Sequence, residues 1–106
     1  MKSIVGKESF DEAISSDKVV FVKFTADWCA QCKMMEAIIR QVIEQFRDNV
    51  VFISLDVDAP GNREIIKNNN IMTLPTCIIY KDRIQKERFG MVAKAAIVNK
   101  LENLLN

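Results

Sequence analysis

Cys29 and Cys32 stand three residues apart in Trp28-Cys29-Ala30-Gln31-Cys32, shortly after the apolar run Val19-Val20-Phe21-Val22. On an α-helix, residues i and i+3 have Cα atoms about 5 Å apart, from a rise of about 1.5 Å per residue on a radius of about 2.3 Å. A disulfide accepts Cα separations of roughly 4.4–6.8 Å. The pair can therefore pass between dithiol and disulfide with almost no backbone movement, as reversible redox chemistry requires. The two sulfurs are not equivalent. Cys29 falls at a helix N-terminus, where unpaired N–H groups and the positive end of the dipole stabilise a thiolate, whereas Cys32 falls inside the first turn, partly covered. Cys29 is the expected nucleophile and would form a mixed disulfide, which Cys32, the expected resolving thiol, would break. The competing chemistry is metal binding, with Cys29 and Cys32 of two subunits sharing a zinc ion or an iron–sulfur cluster.

Positioning such a pair takes a strand before it and a helix after it. Val19 to Phe24 is nearly unbroken apolar sequence, as expected of a central strand covered on both faces, with Lys23 the exception. Strand alternation points Lys23 beneath the following helix toward Cys32; alternatively its head snorkels to water and only its stem packs. Trp28 opens the turn and reads equally as a core ring or a substrate contact. From Cys29 to Phe46 or Arg47, the positions Met35, Ile38, Ile39, Val42, Ile43 and Phe46 recur at steps of three and four, predicting one amphipathic helix with its methionines as core filler. Val50 to Val57 is the next strand, parallel to the first through a right-handed crossover.

The remaining elements frame that unit. Residues 2–6 are expected as an edge strand and 9–14 as a helix. Asp58 to Asn62 reads as a turn, Arg63 to Lys67 as a helix, and Asn68-Asn69-Asn70 as its terminator, without a further role. Leu74-Pro75-Thr76 precedes the strand Cys77–Tyr80, a position where a sheet tolerates proline. Lys81-Asp82-Arg83 is a hairpin turn into Ile84–Phe89, Gly90 ends that strand beside the cysteines, and Val92 to Leu105 is a closing helix. Cys77 reads as a small buried hydrophobe.

A chain of 106 residues fits one domain, 1–106. Fifteen basic against fourteen acidic residues give +1, and no cluster of Lys or Arg exceeds a solvated helix face, so nucleic acid is not an expected partner. No apolar run of about 18 residues and no signal-peptide core is present, so no membrane association is expected and a cytoplasmic location follows. Three cysteines are an odd number, which fits a reducing compartment better than a disulfide framework. Histidine is absent, which removes His-based triads and the common zinc ligand sets.

Phe24 to Met34, then Leu74-Pro75-Thr76, then Phe89-Gly90, in that order, resemble the thioredoxin family, and the resemblance covers nearly the whole chain. It implies an α/β thioredoxin-like fold: a central mixed sheet of four or five strands, parallel in the middle, ending in an antiparallel hairpin and flanked by four helices. It implies a monomer that donates two electrons to disulfides of partner proteins and is recharged by a reductase of the thioredoxin reductase type. No metal or bound cofactor is needed, because the dithiol carries the electrons. Trp28, Ala30, Gln31, Leu74, Pro75, Thr76 and Gly90 would form the substrate groove, with the Leu74–Pro75 bond cis and the turn presenting backbone groups to an extended substrate segment, or serving only as a tight turn.

Three positions depart from the family's usual pattern. Gln31 stands in place of a proline. Ala37 replaces a second proline, so a straighter helix is expected. Lys23 occupies a position usually held by a buried acid that moves a proton at the second thiol, which makes it a candidate catalytic residue of inverted charge. The rival to an oxidoreductase is a thioredoxin-fold binding or scaffold module whose redox activity is incidental.

Overall fold

The strand β2, Val19–Thr25, sits at the centre of a five-stranded sheet of order β1 (Lys2–Ser3), β3 (Val50–Asp56), β2, β4 (Thr76–Lys81), β5 (Ile84–Phe89) in the computed structural model, which describes residues 1–106. Six of its seven residues, Val19–Phe24, are buried, as their near-continuous hydrophobicity predicts for a strand covered on both faces. β3 (Val50–Asp56) runs parallel to it, joined through the helix α2 (Ala30–Phe46). β4 (Thr76–Lys81) is antiparallel to β2, and β5 (Ile84–Phe89) is antiparallel to β4. β1 is only Lys2–Ser3, shorter than the expected 2–6, and pairs parallel to β3 at the edge.

Alternation along β2 divides the core in two. Val19 and Phe21 face α2 and the C-terminal helix α4 (Lys94–Leu105), packing with Met35, Ile39, Val42, Ile97 and Leu101. Val20, Val22 and Phe24 face the helices α1 (Lys7–Ile14) and α3 (Arg63–Asn68), packing with Phe10, Ile53, Leu55 and Ile65. Each fully buried side chain of this kind contributes roughly 1.5–3 kcal/mol of hydrophobic free energy before ordering entropy is subtracted. α2 is unbroken from Ala30 to Phe46, with Ala37 supplying the backbone N–H that a proline would lack. The expected apolar stripe is the buried one, with a correction: Met35 is fully buried, but Met34 is 62% exposed and fills no core.

Two asparagines hold more than a turn. Asn62, in a short 3-10 turn at Pro60–Asn62, is fully buried; its Oδ1 accepts from the Gly6 N–H at 2.9 Å and its Nδ2 donates to the Asp56 carbonyl at 2.8 Å. The 68–70 segment also exceeds its expected role of termination. Asn70 is left-handed at φ 50°, but Asn69 accepts from the Tyr80 hydroxyl and the Gln85 amide, both at 3.1 Å, and donates to the Ile65 carbonyl. It ties the end of α3 to β4 and β5. The hairpin turn is tighter than expected: Lys81 belongs to β4, and only Asp82 and Arg83 lie between the paired residues Lys81 and Ile84. Both have positive φ, 55° and 67°, the backbone of a type I′ turn without the glycine that usually announces one.

Candidate active site

β2 delivers the chain to Ala26, and a turn through Asp27 and Trp28 opens α2. Cys29 is the residue just before the helix, with extended backbone, and its Sγ accepts the Cys32 backbone N–H at 3.1 Å. A sulfur thus occupies the place of the usual capping oxygen, with one of the helix's orphan N–H groups aimed at it. Cys29 and Cys32 are joined in a disulfide with Cα atoms 5.3 Å apart, within the separation that a helical turn imposes. Cys29 is 6% and Cys32 1% exposed, so both residues are buried in the disulfide form and differ little in exposure. Both pack with Ala26, Val57 and Leu74.

Trp28 is not a core ring. It is 71% exposed, and its indole N–H donates to the Asp58 carboxylate at 2.7 Å. With Leu74 it lines an open apolar groove of about 460 Å³, whose other walls are Val57, Ile66, Ile71, Met72 and Thr73. Ala30 and Gln31 are exposed on the first turn of α2. The Leu74–Pro75 bond is cis, Pro75 is buried immediately before β4, and the Thr76 hydroxyl donates to the Thr73 carbonyl at 2.6 Å. Gly90 closes the opposite side: a Cβ there would sit 3.3 Å from the Pro75 carbonyl oxygen, tighter than ordinary contact. Glycine is what lets the two segments approach.

Lys23 is 3% exposed, on the sheet face toward α2, and its ammonium lies 3.8 Å from the Glu36 carboxylate. The partner explains how a lysine is tolerated in a central strand: its stem is buried and its head reaches a half-exposed anion. Cys77 pairs with Lys23 across β2 and β4 and is fully buried. Burial pushes its thiol up to about 12, against a smaller opposing pull from the Lys23 charge. No group of three or more His, Cys, Asp or Glu side chains is placed to hold a metal ion, and no helix is long and apolar enough to cross a membrane.

Asp58 and Glu36 carry no signal in the sequence. Asp58 lies in a turn-forming segment of ordinary polarity, and Glu36 reads as one more charge on a solvated helix face. Only the register of β3 and the rotation of α2 assign them partners.

Residues 2–103 match the thioredoxin family model. The chain is 34% identical over 106 residues to the thioredoxin of Mycoplasmoides gallisepticum, covering 99% of both proteins. It is 30% identical over 103 residues to that of Mycolicibacterium smegmatis, covering 95% of this chain and 92% of the relative. Among solved structures, thioredoxin from Trypanosoma brucei brucei superposes with a TM-score of 0.86 at 26% identity, over 96% of this chain and 88% of that one.

Proposed function

Since the chain belongs to the thioredoxin family and is a thiol–disulfide oxidoreductase, we propose that Cys29 is its attacking sulfur and Cys32 its resolving one. The observation that carries this reading is the Cys32 N–H directed at Cys29 Sγ from the first turn of α2. In the reduced protein the same N–H and the helix dipole favour a thiolate at Cys29. That thiolate attacks one sulfur of a substrate disulfide and forms a mixed disulfide; the other substrate sulfur leaves as a thiolate and takes a proton. Cys32 then loses its proton and attacks Cys29 Sγ. The Cys29–Cys32 bond forms, the bond to substrate breaks, and the second substrate thiolate is released. Two electrons have passed from protein to substrate.

Thioredoxins take electrons from a reductase and act on disulfide substrates. We infer a reductase of the thioredoxin reductase type as donor and protein disulfides as acceptors, with one domain acting as a monomer in the cytoplasm. The substrate segment lies between Trp28, Ala30 and Gln31 on one side and Leu74, Pro75, Thr76 and Gly90 on the other. The apolar groove beside Trp28 supports that placement, because it takes a large side chain flanking the substrate cysteine. Lys23 is assigned the role of favouring the Cys32 thiolate from below. Its burial on the α2 side of β2 supports this role, since a positive charge there offsets the unfavourable burial of a sulfur anion.

Reduction of insulin disulfides with dithiothreitol as electron source tests the assignment. Wild type accelerates the reaction, Cys29→Ser abolishes the acceleration, and Cys32→Ser accumulates a mixed disulfide. No acceleration by the wild type, or acceleration that survives Cys29→Ser, would indicate a scaffold module instead.

A further inference from the structure

Glu36 bridges two cations of unlike surroundings. One carboxylate oxygen accepts from the exposed Arg40 guanidinium at 3.3 Å, and the other lies 3.8 Å from the ammonium of buried Lys23. It is the one carboxylate within 4 Å of that ammonium. Lys23's cross-strand neighbours, Ser54 on β3 and Cys77 on β4, supply no counter-charge, the Cys77 thiol being held protonated by its burial. Glu36 also stands four residues after Cys32 in α2, so the two side chains are neighbours on one helix face. The carboxylate that holds the buried ammonium and the resolving thiol therefore share one face of α2, the face turned toward the strand that carries Lys23.

We propose that Glu36 is a positioning residue that holds and partly neutralises the Lys23 ammonium, and thereby sets the stability of the Cys32 thiolate and the reduction potential of the Cys29–Cys32 pair. The inference rests on the role assigned to Lys23 above. A cation next to a sulfur favours thiolate, and a carboxylate beside the cation weakens that effect. Loss of the Glu36 charge leaves Lys23 less compensated, stabilises the reduced protein and makes the disulfide more oxidising. Because Glu36 is half-exposed and reached from outside by Arg40, it can be altered without opening the core.

The test is the equilibrium with glutathione at pH 8 for wild type, Glu36→Gln, Lys23→Met and the double variant, with Lys23→Gln as a second neutral replacement should Lys23→Met fail to fold. Glu36→Gln is expected to shift the equilibrium about two- to fivefold toward reduced protein, the range of an ion pair with one exposed member. That is roughly 10–20 mV at about 30 mV per tenfold change. Glu36→Asp should restore part of the wild-type value, and in the Lys23→Met background the Glu36→Gln shift should fall to less than half. Equal shifts in both backgrounds would show that Glu36 acts as an independent charge, overturning this inference while a shift from Lys23→Met alone preserves the role of Lys23. No shift from Lys23→Met would overturn both. Absorbance titration of Cys32 in the Cys29→Ser protein gives an independent readout: Glu36→Gln should lower the pH at which the thiolate forms, and an unchanged titration counts against the proposal.

Discussion

The indole N–H of Trp28 donates to the Asp58 carboxylate across 30 residues of sequence, at 2.7 Å, although the ring is 71% exposed. This bond fixes the plane of a large aromatic surface that the core does not hold, and so shapes one wall of the groove beside the disulfide. Asp58→Ala should leave the fold intact and weaken transition-state binding of protein disulfides. The expected loss in kcat/KM for insulin is about two- to tenfold, corresponding to about 0.5–1.5 kcal/mol for one hydrogen bond. A small soluble disulfide that does not reach the groove should be reduced at nearly the wild-type rate. Equal losses for both substrates would mean that Asp58 acts on the cysteines and not on the ring.

Cys77 makes stability sensitive to alkali. It is the one free thiol of the oxidised protein, and burial raises it from 9.0 to about 12. Below about pH 9 folded and unfolded chains both keep this proton. Between pH 9 and 12 only the unfolded chain releases it, so stability falls as pH rises through that window. Burial raises the Tyr80 hydroxyl as well, which adds to the fall at its upper end. Urea unfolding from pH 8 to 10.5 should show wild type losing about 1–2 kcal/mol more than Cys77→Ala, whatever the offset between the two at pH 8. Parallel pH profiles would contradict the assigned burial of the thiol.

Gln31 occupies the second position of α2, where the backbone N–H has no partner inside the helix. A proline is sterically acceptable there but removes that donor from the vicinity of the Cys29 sulfur. Gln31→Pro should therefore destabilise the thiolate, raise the pH at which Cys29 ionises, and lower the reduction potential. Measured against glutathione, an unchanged or higher potential would sink this argument.

Arg83 is exposed at the second position of the two-residue β4–β5 turn, with φ 67°. A left-handed non-glycine residue costs about 1–2 kcal/mol, and glycine returns part of that by being freer in the unfolded chain. Arg83→Gly should raise unfolding stability by about 0.5–1 kcal/mol. A loss of stability would mean that the arginine side chain makes a contact that outweighs the strain.

That turn also marks where the sequence stops being legible. The buried strands, the long amphipathic helix, the cis peptide before Thr76 and the cysteine pair at a helix start are readable from periodicity, spacing and a family resemblance, all of which survive without knowledge of distant partners. Asp82-Arg83 carries no turn-type signal because register, and not residue preference, forces both into positive φ. Met34 and Met35 are chemically identical in the sequence, and only the rotation of α2 sends one to the core and the other to solvent. Trp28 is ambiguous because an exposed ring is acceptable once its N–H finds an anion, and that anion comes from the turn that follows β3. The partner of Lys23 is unreadable for the same reason: the contact with Glu36 joins a strand to a helix face that reads as wholly solvated.

Asn62 is the buried residue whose loss should reach furthest from its own position. It is fully buried, and its two amide ends clamp the Gly6 N–H and the Asp56 carbonyl. The Asp56 carbonyl keeps a second donor, the Ala59 N–H at 3.3 Å. The Gly6 N–H gains no substitute when the side chain is cut to alanine, and Gly6 has φ 99°, a backbone that this bond helps to hold. An orphaned donor costs about 1–3 kcal/mol, so with the vacated space Asn62→Ala should destabilise by about 2–3 kcal/mol in urea. The effect should also reach the active site. Asp56 leads through Val57, which packs against Cys29 and Cys32, into Asp58, which holds Trp28. Loosening the clamp should therefore broaden Trp28 fluorescence and raise KM for insulin under conditions where the variant remains fully folded. Asn62→Asp keeps an acceptor for the Gly6 N–H and, at low pH where the new carboxyl is protonated, an O–H that can donate to the Asp56 carbonyl, so there it should retain more stability than Asn62→Ala. If Asn62→Ala unfolds with the wild-type midpoint, the clamp contributes nothing and the loop is held by the β3 register alone.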